Sequence, residues 1–251
     1  MSASNLSEEG RPHGAVKHDR NWEHRFFAVF AAAYVVAVLV GFGPTFYLKP
    51  LFNYPPIARS IIWVHGFVMA AWVLLFVAQV YLISSKRIRI HQKLGILGVL
   101  IAVALVVSGF NLTIAAAKYG TAAAPADIPP LEFMIVPFGD LIVFSILFGA
   151  AVYFRKKAAD HKRLILLTMI CLAPPAIARF PGGMTASFGP LWFFGVPSVM
   201  VILMILGDWW RSGKLNKIFL AGGIFLVASA WLRLPVASTP LWLNFAEWLT
   251  S

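Results

Sequence analysis

The run WVHGFVMAAWVLLFVAQ at 63–79 holds an imidazole and a carboxamide inside an otherwise apolar stretch. His65, Met69, Trp72, Phe76 and Gln79 recur every three or four residues, so a helix places them on one face. Lipid offers imidazole, indole and amide no hydrogen-bond partner, so that face is expected to turn into the protein. Two chemistries suit it. One is helix-to-helix glue, each hydrogen bond contributing about 0.6–2 kcal/mol. The other is a ligand or proton site, the default reading of an ionisable group inside a membrane. Asp140, in VPFGDLIVF, supplies a carboxylate at matching depth. A His65–Asp140 pair would lower the cost of burying the carboxylate and fix the imidazole tautomer. Together His65, Asp140, Trp72 and Gln79 form the candidate intramembrane polar site.

A second constellation lies at the opposite face of the membrane. KRIRIHQKLG at 86–95 and RKKAADHKRL at 155–164 each place a histidine, His91 and His161, just after a basic loop and at the start of an apolar run. Helix N-termini with Lys and Arg attract lipid phosphates. Two histidines at equal depth can also ligate one haem or metal ion, and both readings stay open. Arg179, in IARFPGGM, is a candidate outer contact for an anionic ligand, with Asp127 and Glu132 as alternative partners and surface snorkelling as a further reading. His13, His18 and His24 fall in a polar segment, at a spacing that fits no defined metal site.

The elements that carry these groups follow from composition. Of 251 residues 60% are hydrophobic and 12% charged, against about 25% charged in soluble domains. So much apolar surface implies a bilayer as solvent. The net charge of +11 sits in short clusters between apolar runs, which suits anionic lipid head groups on the cytoplasmic side and not nucleic acid. The single cysteine, Cys171, excludes an intrachain disulfide. A phosphate-binding glycine loop, HExxH and GxSxG are all missing from the chain.

The predicted architecture is all-α: a polar cytoplasmic tail over 1–25, seven transmembrane helices within 26–237 and an outer interfacial segment over 238–251. The spans are expected at 26–48, 58–84, 93–117, 131–154, 162–180, 190–210 and 216–237. With the N-terminus cytoplasmic and the C-terminus outside, the outer side receives only Lys49, Arg59, Lys118, Arg179 and Arg233, and the remaining 16 of the 21 basic residues fall inside.

The pattern H-G…W…Q…R-x-H-x-x-L-G from 65 to 95, with D-H-K-R-L…I-A-R-F-P at 160–181, resembles a group of bacterial multi-span membrane proteins to which no activity is attached. The resemblance covers about 58–182 and implies a bacterial inner-membrane location. More faintly, the chain is similar to transmembrane b-haem cytochromes of the ferric-reductase kind, which hold haem between histidines on facing helices. Those proteins use two depth-matched histidine pairs. Here only His91 and His161 form one, so the resemblance implies at most one haem b. Three readings are carried forward. A cofactor-binding redox protein would use His91 and His161. A proton-coupled carrier would use His65 and Asp140. A scaffold or receptor would use all of these groups as helix glue.

Overall fold

The computed structural model describes residues 13–52, 54, 57, 59–121, 125 and 127–251, and the side chains from Trp22 onward. The first half of the expected tail, and the His13 and His18 side chains, lie outside the described residues. Among the described residues all regular structure is helical. The α-helices are α1 (His13–Phe42), α2 (Ser60–Ser84), α3 (Ile88–Tyr119), α4 (Pro130–Phe133), α5 (Ile135–Tyr153), α6 (Ala158–Cys171), α7 (Pro174–Ile177), α8 (Met184–Phe188), α9 (Val196–Ser212), α10 (Lys217–Ala237) and α11 (Pro240–Thr250). Short π-helical turns at Gly43–Tyr47 and Leu191–Gly195 extend α1 and introduce α9.

Six stretches are long and apolar enough to cross a membrane: Trp22–Tyr47, Ser60–Ser84, Ile88–Tyr119, Pro130–Lys156, Leu191–Ser212 and Lys217–Ala237. Only 22–33% of the most apolar window in each is buried inside the protein. Leu74, Leu100 and Leu203, on three of these helices, are each more than 60% exposed. Side chains of this kind need an apolar solvent, so the chain is a multi-pass membrane protein.

Two elements differ from the sequence reading. Helix α1 already includes His13, so 13–25 is helical. Its polar first half is anchored by ionic contacts: Lys162 Nζ lies 2.6 Å from Glu23, and the Arg211 guanidinium sits 3.8 Å above the Trp22 ring. The stretch expected as one span at 162–180 is interrupted. Helix α6 has 14 residues, about 21 Å at 1.5 Å each, against a hydrocarbon core of about 30 Å. Pro174 and Pro175 cannot donate to the carbonyls one turn back, so α6 stops at Cys171 and α7 starts afresh on Pro174.

This short helix is the centre of the bundle. It packs on α5, α9 and α10, and Leu167, Met169 and Ile170 are wholly buried. Beside it an aromatic cluster joins α2 to α5. Trp72 meets Phe144 and Phe148 edge-on, with centroids 5.3 Å away in each case. α1 is held against α7 closely enough that a Cβ on Gly41 would strike the Ala176 carbonyl oxygen. The C-terminal α11 is capped by Thr239 Oγ1, which accepts from Trp242 N, and its Trp242 Nε1 donates to Leu131 O at 2.9 Å. Leu241 and Trp248 point outward on the other side of α11.

Candidate functional site

His65, on α2, faces α3. Its Nδ1 lies 3.1 Å from Ser108 Oγ, and Ser108 donates its own proton to Leu105 O at 3.3 Å. That hydroxyl can therefore only accept from the ring, which places the imidazole proton on Nδ1. Gly109 makes the approach possible: a Cβ there would lie 3.2 Å from His65 Cε1 and 2.8 Å from Leu141 Cδ2. So α2, α3 and α5 converge at the level of His65, and the α5 residue facing that point is Leu141.

Asp140 is the preceding residue, about 100° further round the helix, and it faces elsewhere. Its Oδ1 accepts from Arg233 Nη1 at 2.5 Å, on α10. The direct partner of Asp140 is thus Arg233 and not His65. The carboxylate points towards α10 and not towards α2 as expected. Arg233 also donates to Val136 O at 3.0 Å and to Ser229 Oγ at 3.3 Å. The guanidinium lies against Gly139, where any side chain would collide with its Nε. Side-chain exposures of 7% for Arg233 and 14% for Asp140 make this a buried pair, so each charge offsets a desolvation cost the other could not bear alone. The thiol of Cys171, the last residue of α6, donates to Asp140 O at 3.6 Å. Arg233 was missed as a site residue, although it is the one charged residue in 218–237. That isolation inside an apolar run was the available signal.

Trp72 and Gln79 share a face of α2 with His65 but not a site. The Trp72 ring belongs to the aromatic core, and its buried Nε1 has no hydrogen-bond partner in the protein. Gln79, two turns further on, reaches α3 at the opposite end: its Nε2 donates to His91 O at 3.2 Å.

That contact involves one of the two histidines of the second constellation. His91 and His161 open α3 and α6. His161 Nδ1 lies 2.8 Å from Ala151 O. A carbonyl can only accept, so Nδ1 carries the proton and the lone pair of Nε2 stays available, the arrangement that orients a metal-ligating histidine. His91 Nδ1 is buried without a partner, and so is Gln79 Oε1. Two imidazoles and orphaned polar atoms fit a metal-centred group. Among the described residues no three His, Cys, Asp or Glu side chains come together as a metal cluster.

Arg179 donates to Pro175 O at 2.6 Å and lies 4.6 Å from the Phe42 ring centroid, rather than meeting Asp127 or Glu132. It ties the α7 turn to the end of α1. Comparison with family models, curated proteins and solved structures finds no match. The functional reading rests on the chemistry of these groups.

Proposed function

We propose that this integral membrane protein crosses a bacterial inner membrane seven times, N-terminus inside, and holds a metal-centred cofactor between His91 and His161 at its cytoplasmic end, as a membrane redox protein. The interrupted α6–α7 segment serves as the fifth crossing. Contacts at both of its ends support this. At the start of α6, Arg163 binds Asp208 of α9 through two hydrogen bonds of 3.0 and 2.5 Å, and Asp160 accepts from Asn216 at 2.8 Å. At the other end α7 meets Gly41, near the far end of α1. The distribution of basic residues supports the orientation.

The observation that supports the cofactor reading is that His91 and His161 each open a helix after a basic loop, with His91 Nδ1 buried and unpartnered and the His161 ring held by Ala151 O. Haem b or a bare metal ion would supply one-electron chemistry there. The chain's own part is to hold the imidazoles, fix the His161 tautomer and surround the group with positive charge from Arg87, Arg89 and Lys157. A carrier built on a His65–Asp140 pair is less well supported, because each of those groups is engaged by a different residue.

The test is metal analysis of detergent-purified protein, with absorption spectra before and after dithionite. About one metal or haem per chain is expected, lost in both His91→Ala and His161→Ala. Wild-type protein without metal or haem, or undiminished content in both variants, would sink the reading.

A further inference from the structure

We propose that the cavity beside the Asp140–Arg233 pair is the binding site of a single water molecule, which joins that pair to the break between α6 and α7. The site is separate from the histidine pair and does not depend on its cofactor.

The cavity measures about 10 Å3, close to the room one water molecule needs. Its polar lining comes from Asp140 on α5, Cys171 at the end of α6, Ser198 on α9 and Arg233 on α10. Pro174, at the start of α7, and Ala230 of α10 also line it. Asp140 and Cys171 touch, the thiol donating to Asp140 O at 3.6 Å.

This lining is short of donors. Asp140 Oδ1 accepts from Arg233, but Oδ2 accepts from no group among the described residues. Pro175 has no N–H to give the Cys171 carbonyl one turn back, so the break frees a second acceptor. Ser198 cannot serve either of them, because its hydroxyl already donates to Phe194 O at 2.7 Å while accepting from Trp231 Nε1. Arg233 does have an N–H to spare, since its buried Nε has no partner.

A ligand suited to this place has to donate to a carboxylate, fit the volume and carry no net charge. The ion pair is already neutral, so an added cation would stand against Arg233 and an added anion against Asp140. Water meets all three conditions. Its two O–H groups serve Asp140 Oδ2 and the Cys171 carbonyl, and its lone pairs accept from Arg233. The backbone points the same way. At membrane depth, non-helical chain is tolerated where it is buried in protein or lines a hydrated cavity. Two such places meet here, the α6–α7 break and the π-helical entry to α9, through Pro174 and Phe194.

The test is X-ray pulse radiolysis of full-length protein in detergent, read by mass spectrometry at two sulfur residues of α6. A bound water yields hydroxyl radicals where it sits, and these oxidise the sulfur beside it. Cys171 lines the cavity, whereas Met169 is wholly buried and is not among the lining residues. Cys171 should be oxidised several times faster than Met169. Ala230→Leu, which fills the cavity from α10, should bring the Cys171 rate down to that of Met169. Ala230→Val fills the same space with less overpacking and serves if the leucine variant does not fold. Unfolding exposes both sulfurs, so the ratio of the two rates reads the cavity and not the fold. Equal rates in the wild type would overturn the proposal without either variant. Undiminished oxidation of Cys171 in a filled variant that still protects Met169 would also overturn it, by placing the radical source elsewhere.

Discussion

The two ends of the bundle treat their polar groups differently. Around His65 and Asp140 the charged and imidazole groups mostly answer one another within the protein, with Arg233 Nε the exception. His65 binds Ser108, Asp140 binds Arg233, and Arg233 also reaches Val136 O and Ser229. At the other end Gln79 binds the His91 carbonyl, yet His91 Nδ1 and Gln79 Oε1 have no partner. Inside a membrane every hydrogen bond has to come from the protein or from something it binds. Groups satisfied by neighbours hold helices together, whereas a buried group left over has a hydrogen bond still to make. The carboxylate that looked most like chemistry in the sequence is the better explained as structure.

The largest effect expected from this contrast is on the Asp140–Arg233 pair. Asp140→Asn leaves a buried guanidinium uncompensated and should cost about 3–5 kcal/mol in unfolding from mixed micelles. Replacing both residues with Leu should recover most of that loss. A single variant as stable as wild type would show that the outer pair does not clamp α5 to α10. A smaller effect is expected at His65. A double-mutant cycle of His65→Phe with Ser108→Ala should give a coupling of about 0.6 kcal/mol, and no more than about 1.7. Zero coupling would remove their hydrogen bond as a source of stability. The smallest effect belongs to the inner end. Gln79→Leu in metal-free protein should stay within about 1 kcal/mol of wild type, because it deletes an unsatisfied acceptor along with one hydrogen bond. A loss as large as that of Asp140→Asn would make Gln79 structural and erase the difference between the two ends.

The buried centre of the fold tells a related story. Helix α6 is too short to look like a crossing by length, yet it is the most thoroughly enclosed of the long helices. Its seven buried residues from Leu164 to Cys171 face protein on several sides, while α2 and α3 each leave a broad face outward. The interruption was legible in advance as Pro174–Pro175, because a ring nitrogen without a proton ends a helix wherever it falls. That the broken segment would sit at the centre was not legible. Hydrophobicity is high in both lipid-facing and protein-facing helices, so it cannot say which is which.

From the sequence alone came the all-helical membrane character, six of the apolar runs and the boundaries of most helices. All of these depend on local quantities: the length of an apolar run, the rise per residue and the turn-breaking effect of proline and charge. Only the tertiary structure decided that α5 presents Asp140 to Arg233 and Leu141 to the His65 level, and that Gln79 reaches the His91 carbonyl. Lipid solvates every apolar face of a helix equally well. The rotation of each helix about its axis therefore carries little hydrophobic signature, and it is settled by close packing at residues such as Gly109 and Gly139.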